Sequence, residues 1–196
     1  MSFLLSARPT IVDRIFSKSL TTDIVLVTGG AALTAAAAQI TIPMFPVPMT
    51  GQTFAVLLVA ATLGLSRSAL SMVLYVLVGS LGAPVFAGAA SGFFGSTTGY
   101  LIGFIAAAVV VGYLAEKGWD RTPLKVAASF ALGSLVIYAF GVSWLSIYLG
   151  SVGAANDFVT SISLGMLPFL VGDALKATLA AALLPSAWAA VKNIKG

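Results

Sequence analysis

Six apolar runs, near 22–40, 53–65, 67–82, 97–116, 123–142 and 164–184, occupy most of this 196-residue chain and leave little else from which to build a fold. A bilayer core about 30 Å thick takes roughly 20 mostly apolar residues per helix. The runs therefore predict an all-α polytopic membrane protein with six transmembrane helices in one integral membrane domain over 1–196. Composition closes off the soluble alternative. At 59% hydrophobic and 8% charged, with a mean hydropathy of +1.06, the chain has too little polar side chain to coat a globule of its size. The second and third runs are short and separated only by Ser66-Arg67-Ser68, so they predict a tight hairpin whose members are tilted or do not fully cross. The first run follows Arg8, Arg14 and Lys18 and shares the look of a signal peptide cleaved near Ala35–Ala37. It is long enough to span, however, and its small residues suit close helix packing.

The charges fit this frame. Arg8, Arg14, Lys18, Arg67, Lys117, Arg121, Lys125, Lys192 and Lys195 all fall on one side, which the positive-inside rule makes cytoplasmic, together with both termini. The three opposite connections, 41–52, 83–96 and 143–163, carry no Lys or Arg. The net charge of +4 and isoelectric point near 9.6 thus reflect topology, and no nucleic-acid partner is expected. The chain has no Cys and no His, which removes thiol and Ser-His nucleophiles and the usual metal ligands. No GxxxxGK[ST] loop is present, so any ATP hydrolysis must come from elsewhere. The expectation is a protein that is not an enzyme and holds no metal or cofactor.

One pair of charges breaks the apolar pattern. Asp173 and Lys176 stand one helical turn apart inside the last run. An ionised side chain within a membrane helix costs at least about 2.5–3.5 kcal/mol on insertion scales and commonly marks a substrate or ion site. The alternative is an intrahelical ion pair that only satisfies itself, since i and i+3 are neighbours on a helix; two apolar residues would serve stability as well. A carboxylate that accepts and an ammonium that donates suit a small ligand carrying both kinds of group. Pro168 and Gly172 precede the pair, so the regular part of this helix is expected to begin near Leu167, with Asp173 one to two turns from the outer surface.

Two connections read as the roof of such a site. Thr41 to Gln52 holds Pro43, Pro46 and Pro48, which forbid a continuous helix. Residues 83–96 hold Gly88, Gly92 and Gly95, which permit tight turns and close approach to a ligand. Both are too apolar to lie freely in water, so they are expected to cover an outward-facing pocket. Phe86 and Gly88 are candidate ligand contacts. Thr50, Gln52 and Thr53 supply polar groups at the start of the second helix, Thr50 with helix capping as its alternative role. Tyr100 is a belt residue or a pocket wall. The 143–163 segment, with Trp144, Tyr148 and Phe158 among Gly150, Gly153 and Asn156, reads as interfacial and partly helical. In the first helix, Ala31/Ala35 and Ala32/Ala36 repeat the spacing that brings helix backbones close, for packing within the chain or for docking another membrane subunit. Gly99/Gly103 suits internal packing.

These segments, in this order, resemble a known family. Pro46-Val-Pro-Met-Thr-Gly-Gln-Thr53 after an alanine-rich first helix, Leu74-Tyr-Val-Leu-Val-Gly-Ser-Leu-Gly-Ala-Pro-Val-Phe-Ala-Gly88, Thr98-Gly-Tyr-Leu-Ile-Gly-Phe104 and Gly172-Asp-Ala-Leu-Lys176 closely resemble BioY. That family comprises the biotin-specific substrate-binding S components of energy-coupling factor (ECF) transporters, and the resemblance covers roughly residues 22–190. It implies six helices in a prokaryotic cell membrane and high-affinity capture of biotin outside, with Asp173 and Lys176 against polar groups of the vitamin. It also implies partners: a transmembrane coupling subunit (T component), docked on Ala31, Ala32, Ala35 and Ala36, and two cytoplasmic ATP-binding subunits. The chain departs from the family pattern at Gly95-Ser-Thr, where Gly-Pro is expected, and 83–96 has no basic residue for the biotin carboxylate. Backbone N–H groups or the hydroxyls of Ser91, Ser96 and Thr97 would hold it instead. Two other readings are a standalone proton-coupled secondary transporter, with Asp173 as relay, and an S component for another vitamin.

Overall fold

The structure is a computed structural model that describes residues 9–155 and 157–195, with side chains through Val191. Arg8, Asn156 and the side chains of Lys192 and Lys195, all used in the sequence reading, lie outside the described residues. The chain opens with a five-residue helix, α1 (Ile11–Ile15), in which Asp13 accepts from the Thr10 N–H and hydroxyl. Helix α2 (Leu20–Ala38) begins at Ser19, whose hydroxyl accepts from the Thr22 N–H at 3.1 Å, satisfying one of the donors a helix start leaves open. It ends before the proline-rich connection. There β1 (Thr41–Ile42) and β2 (Met49–Thr50) form a two-residue antiparallel ribbon, Thr41 opposite Thr50, that closes the connection into a loop.

Helices α3 (Gln52–Leu63) and α4 (Leu65–Ser80) form the expected hairpin, but its corner differs from the sequence reading. Gly64 alone makes the turn, with φ at +80°, and a Cβ there would stand 2.8 Å from the Glu116 carboxylate and 3.0 Å from Thr10. Left-handed backbone with no free volume beside it admits only glycine. Ser66-Arg67-Ser68 is therefore the first turn of α4, and Arg67 is buried. Its guanidinium meets Asp13 and Asp23, each at 2.7 Å, tying α1 and α2 to α4. Beside this cluster Glu116 accepts from the Leu65 N–H at 2.9 Å and so caps α4.

Helix α5 (Thr98–Glu116) lies between α3, α4 and α6. Its contact with α6 is close because Gly99 and Gly103 have no side chains: a Cβ on Gly99 would stand 2.3 Å from that of Trp144, and one on Gly103 would stand 3.0 Å from the Ile137 backbone. Helix α6 (Pro123–Ser151) starts on a proline at N1 and runs nine residues beyond the expected end at 142. Nothing in 143–151 forbids helix, and Gly141 is needed inside it, because a Cβ there would enter the Tyr100 ring. At 29 residues α6 is about 43 Å long. The partly helical segment anticipated at 143–163 is thus the end of α6 plus a separate helix, α7 (Phe158–Gly165), started by Asp157.

The last helix also moves. A single 3-10 turn, Leu167–Phe169, carries Pro168, and regular helix α8 runs from Leu170 to Lys195. Regular helix thus begins three residues after the Leu167 expected from the sequence. Asp173 falls in the first turn of α8. Among the described residues, four segments are long and apolar enough to cross a membrane, namely α2, α5, α6 and residues 158–191, while α3 and α4 are shorter apolar helices of 12 and 16 residues. Tyr75, Phe130, Met72, Ile137 and Leu145 are fully buried where these helices meet.

A candidate binding site beneath the two connections

The helix ends opposite the Arg67 cluster enclose a cavity of about 580 Å³, counted to its open mouth. Both proline- and glycine-rich connections contribute to its wall, through Val47, Pro48 and Thr50 of one and Phe86 and Ala87 of the other. They are tied together and to the helices. Ser96 donates to the Pro46 carbonyl at 2.7 Å, and the Trp144 indole N–H donates to the Gly95 carbonyl at 2.8 Å. Gln39 at the end of α2 donates to the Phe86 carbonyl and accepts from the Ala89 N–H. Trp144, read from the sequence as an interfacial residue, thus holds the roof.

Most of the wall is apolar: Leu101, Phe104, Ile137 and Phe169 line it alongside the ring of Phe86. That ring sits edge-on to Tyr75, centroids 5.3 Å apart, in a notch that exists because residue 79 is glycine. One corner is polar. Lys176 Nζ lies 3.3 Å from Asp173 Oδ1 and donates to Thr53 Oγ1 at 2.6 Å. Tyr138 on α6 donates to Asp173 Oδ2. The Asp173 and Lys176 side chains are only 12% and 19% exposed, so both charges are largely withdrawn from solvent and held by partners from three helices. Of Lys176's three donors two are engaged, which leaves one for a ligand; each Asp173 oxygen keeps acceptor capacity.

The remaining candidates divide by position. Gln52 and Thr50 line the cavity, but their polar atoms are largely committed. The Gln52 amide donates to Tyr75 at 2.6 Å and accepts from the Thr50 hydroxyl at 2.9 Å, while that hydroxyl also accepts from the Gln52 N–H at the start of α3. Tyr100 lines the cavity and spends its hydroxyl on the Gly165 carbonyl at 2.7 Å. Gly88 and Ser91 do not line the cavity. Gly88 turns with φ at +64°, and both residues face out of the connection, exposed, because the inward place is taken by Phe86 and Ala87. Of the hydroxyls considered for an anionic tail, Thr97 lines the cavity and Ser96 is spent on Pro46. On α2, Ala31 is buried and Ala35 half-buried against the core, whereas Ala32 and Ala36 are exposed.

Sequence reasoning missed Tyr138 and Phe169. The signal available for Tyr138 is a phenol in a largely apolar run that also carries Ser129 and Ser134; nothing in the sequence links it to a carboxylate 35 residues later. At the far end the Asp13–Arg67–Asp23 cluster also escapes the sequence, because Arg67 reads there only as a loop charge. Burial there would raise the Asp13 pKa, but hydrogen bonds from Arg67 and Thr10 more than offset this and hold the carboxyl below its ordinary value. Asp120 shows the opposite balance. Burial pushes its carboxyl up against the lowering effect of the Trp188 indole N–H at 2.6 Å and the nearby Arg121.

Comparison with known proteins identifies the family. The model of the BioY family matches residues 8–193, nearly the whole chain. This chain belongs to the BioY family. The biotin transporter BioY of Thermotoga maritima is 42% identical over 153 residues, covering 76% of this chain and 86% of that protein. A probable biotin transporter BioY from Pyrococcus horikoshii is 38% identical over 161 residues, covering 81% and 91% respectively. Among solved structures, the S component for biotin from an ECF-type ABC transporter superposes with a TM-score of 0.74 over 87% of this chain and 93% of that one. At 21% identity that likeness speaks to the fold.

Proposed function

We propose that this BioY-family chain is the biotin-binding S component of an ECF-type vitamin transporter. The observation that carries the reading is the polar corner of Asp173, Lys176, Thr53 and Tyr138 set into an otherwise apolar cavity. Biotin has the matching division: a ureido group that both donates and accepts, an apolar ring sulfur and an aliphatic chain. The ureido group faces Asp173 and Lys176, and the hydrocarbon lies along Phe86, Leu101, Phe104 and Phe169. The carboxylate tail reaches the roof, where Thr97 offers a hydroxyl. No basic residue lies between 83 and 96 to hold it, so hydroxyl and backbone N–H donors take that part.

The chain forms a single integral domain in the cell membrane, with six spans and both ends cytoplasmic. The four long apolar segments support this, as does the placement of Lys117, Arg121 and Lys125 at the end of the bundle away from the cavity. The short helices α3 and α4 cross as a pair joined at Gly64. The chain is not an enzyme; transport is energised by two ATP-binding subunits acting through a transmembrane coupling subunit. That subunit docks on the exposed small-residue stripe of α2, Ala32 and Ala36, and Ala31 serves internal packing instead. The test is biotin accumulation in biotin-auxotrophic cells expressing the chain with its coupling and ATP-binding partners. Uptake abolished by a hydrolysis-dead ATP-binding subunit is expected. Uptake that collapses with the proton gradient but persists without ATP hydrolysis would establish the secondary-transporter alternative.

A further inference from the structure

Asp173 stands between a cavity and a groove. On one side is the ligand cavity; on the other, between α6 and α8, is an open groove of about 630 Å³, counted to its mouth, with Ser134, Leu135, Met166, Leu170, Ala174 and Ala177 in its wall. Among the described residues, only Tyr138 and Asp173 line both. A short carboxylate side chain has several staggered χ1 wells and a broad χ2, so on sterics alone Asp173 has space on either side. Polar contacts decide between them. Lys176 Nζ holds Oδ1 from within α8, and Tyr138 donates to Oδ2 from α6. Tyr138 itself has little freedom: it is 7% exposed, and its hydroxyl has the Asp173 carboxylate as its partner.

We propose that Tyr138 is a positioning residue for ligand binding, fixing the Asp173 carboxylate toward the ligand cavity and away from the space between α6 and α8. The proposal rests on the reading of Asp173 as a biotin contact. Tyr138 acts through Asp173: its hydroxyl engages one oxygen, which leaves the carboxylate's remaining acceptor capacity oriented toward the vitamin. A hydrogen bond to a charged partner in a largely desolvated corner is among the stronger ones, and its loss lets the carboxylate swing before each binding event.

A double-mutant cycle on biotin affinity, using the detergent-purified full chain, separates this role from general support of the fold. Tyr138→Phe keeps the ring that packs α6 and removes only the hydroxyl; Asp173→Ala removes the acceptor. Each single variant is expected to weaken biotin binding by about tenfold or more, and the double variant to bind no more weakly than Asp173→Ala alone. Unchanged affinity in Tyr138→Phe overturns the proposal. So does a double variant whose loss is the product of the two single losses, because a residue that merely supports the fold multiplies with Asp173→Ala. Asp173→Ala with wild-type affinity would overturn the assignment of Asp173 itself, an outcome distinct from a failure of Tyr138.

Discussion

Replacing Arg67 with Met isolates the cluster that holds the far end of the bundle. Arg67 is 3% exposed, and it bridges Asp13 and Asp23 at 2.7 Å each, both carboxylates being almost fully buried. Met fills much of the same volume but withdraws the cation shared by two buried anions. Removing one member of a buried ion pair costs about 3–5 kcal/mol, mainly because the opposite charge stays behind in low dielectric. For a chain of this length each kcal/mol corresponds to about 2–4 °C in melting temperature. Arg67→Met should therefore lower the melting temperature in detergent by about 6–20 °C. The informative comparison is the triple variant Asp13→Asn, Asp23→Asn, Arg67→Met. Removing all three charges together leaves no uncompensated ion, and replacement of whole buried ion clusters is often neutral. The triple variant should recover most of the lost stability. Thermal unfolding of the purified protein, followed by tryptophan fluorescence at constant detergent and pH, reads both. If the triple variant were no more stable than Arg67→Met, the damage would come from lost packing or capping, and the charge argument would fail.

Asp173→Asn and Lys176→Ala should each weaken biotin binding more than tenfold while leaving membrane insertion and the amount of folded protein unchanged, as read by equilibrium binding and size-exclusion chromatography; full affinity in both would remove the site. Asp13 and Asp120 should respond to pH with opposite signs. The lowered pKa of Asp13 means its stabilisation is present above the ordinary carboxylate range and is lost as pH falls through the lowered value. The raised pKa of Asp120 makes its contribution greatest below the ordinary carboxylate range and lost as pH rises through the raised value. Asp120→Asn should thus raise the melting temperature at neutral pH and lose that advantage in acid; an equal gain at both pH values would contradict the desolvation argument. Gly99→Leu should separate α5 from α6, since even a Cβ would stand 2.3 Å from Trp144 Cβ. Overpacking of this kind commonly costs about 1–3 kcal/mol, and a folded, wild-type melting profile would show that the interface is looser than described.

The helical class and the location of the roof were legible because each rests on a local rule: run length, proline incompatibility with helix, and the cost of an intramembrane charge. Asp173 and Lys176 stood out for the same reason. What was not legible depends on neighbours distant in sequence. The sequence puts the end of α6 at 142 because aromatic residues beyond it read as interfacial, whereas Trp144 is held by the Gly95 carbonyl and Gly141 is required by Tyr100. Arg67 carried a topological meaning in the sequence and a different one in space, where two acids 44 and 54 residues away converge on it. Gly88 and Ser91 lay in the right connection but on its outer surface, since loop sequence does not say which residues turn inward. Tyr138 required knowledge of which face of α6 meets α8.

The central claim is that the cavity beneath the two connections recognises biotin, and equilibrium binding to the purified chain without any partner tests it most directly. Labelled biotin should bind saturably at one site per chain, displaced by unlabelled biotin and unaffected by excess thiamine or riboflavin. A folded, monodisperse protein that binds no biotin, or that binds thiamine or riboflavin as well as biotin, would contradict the account.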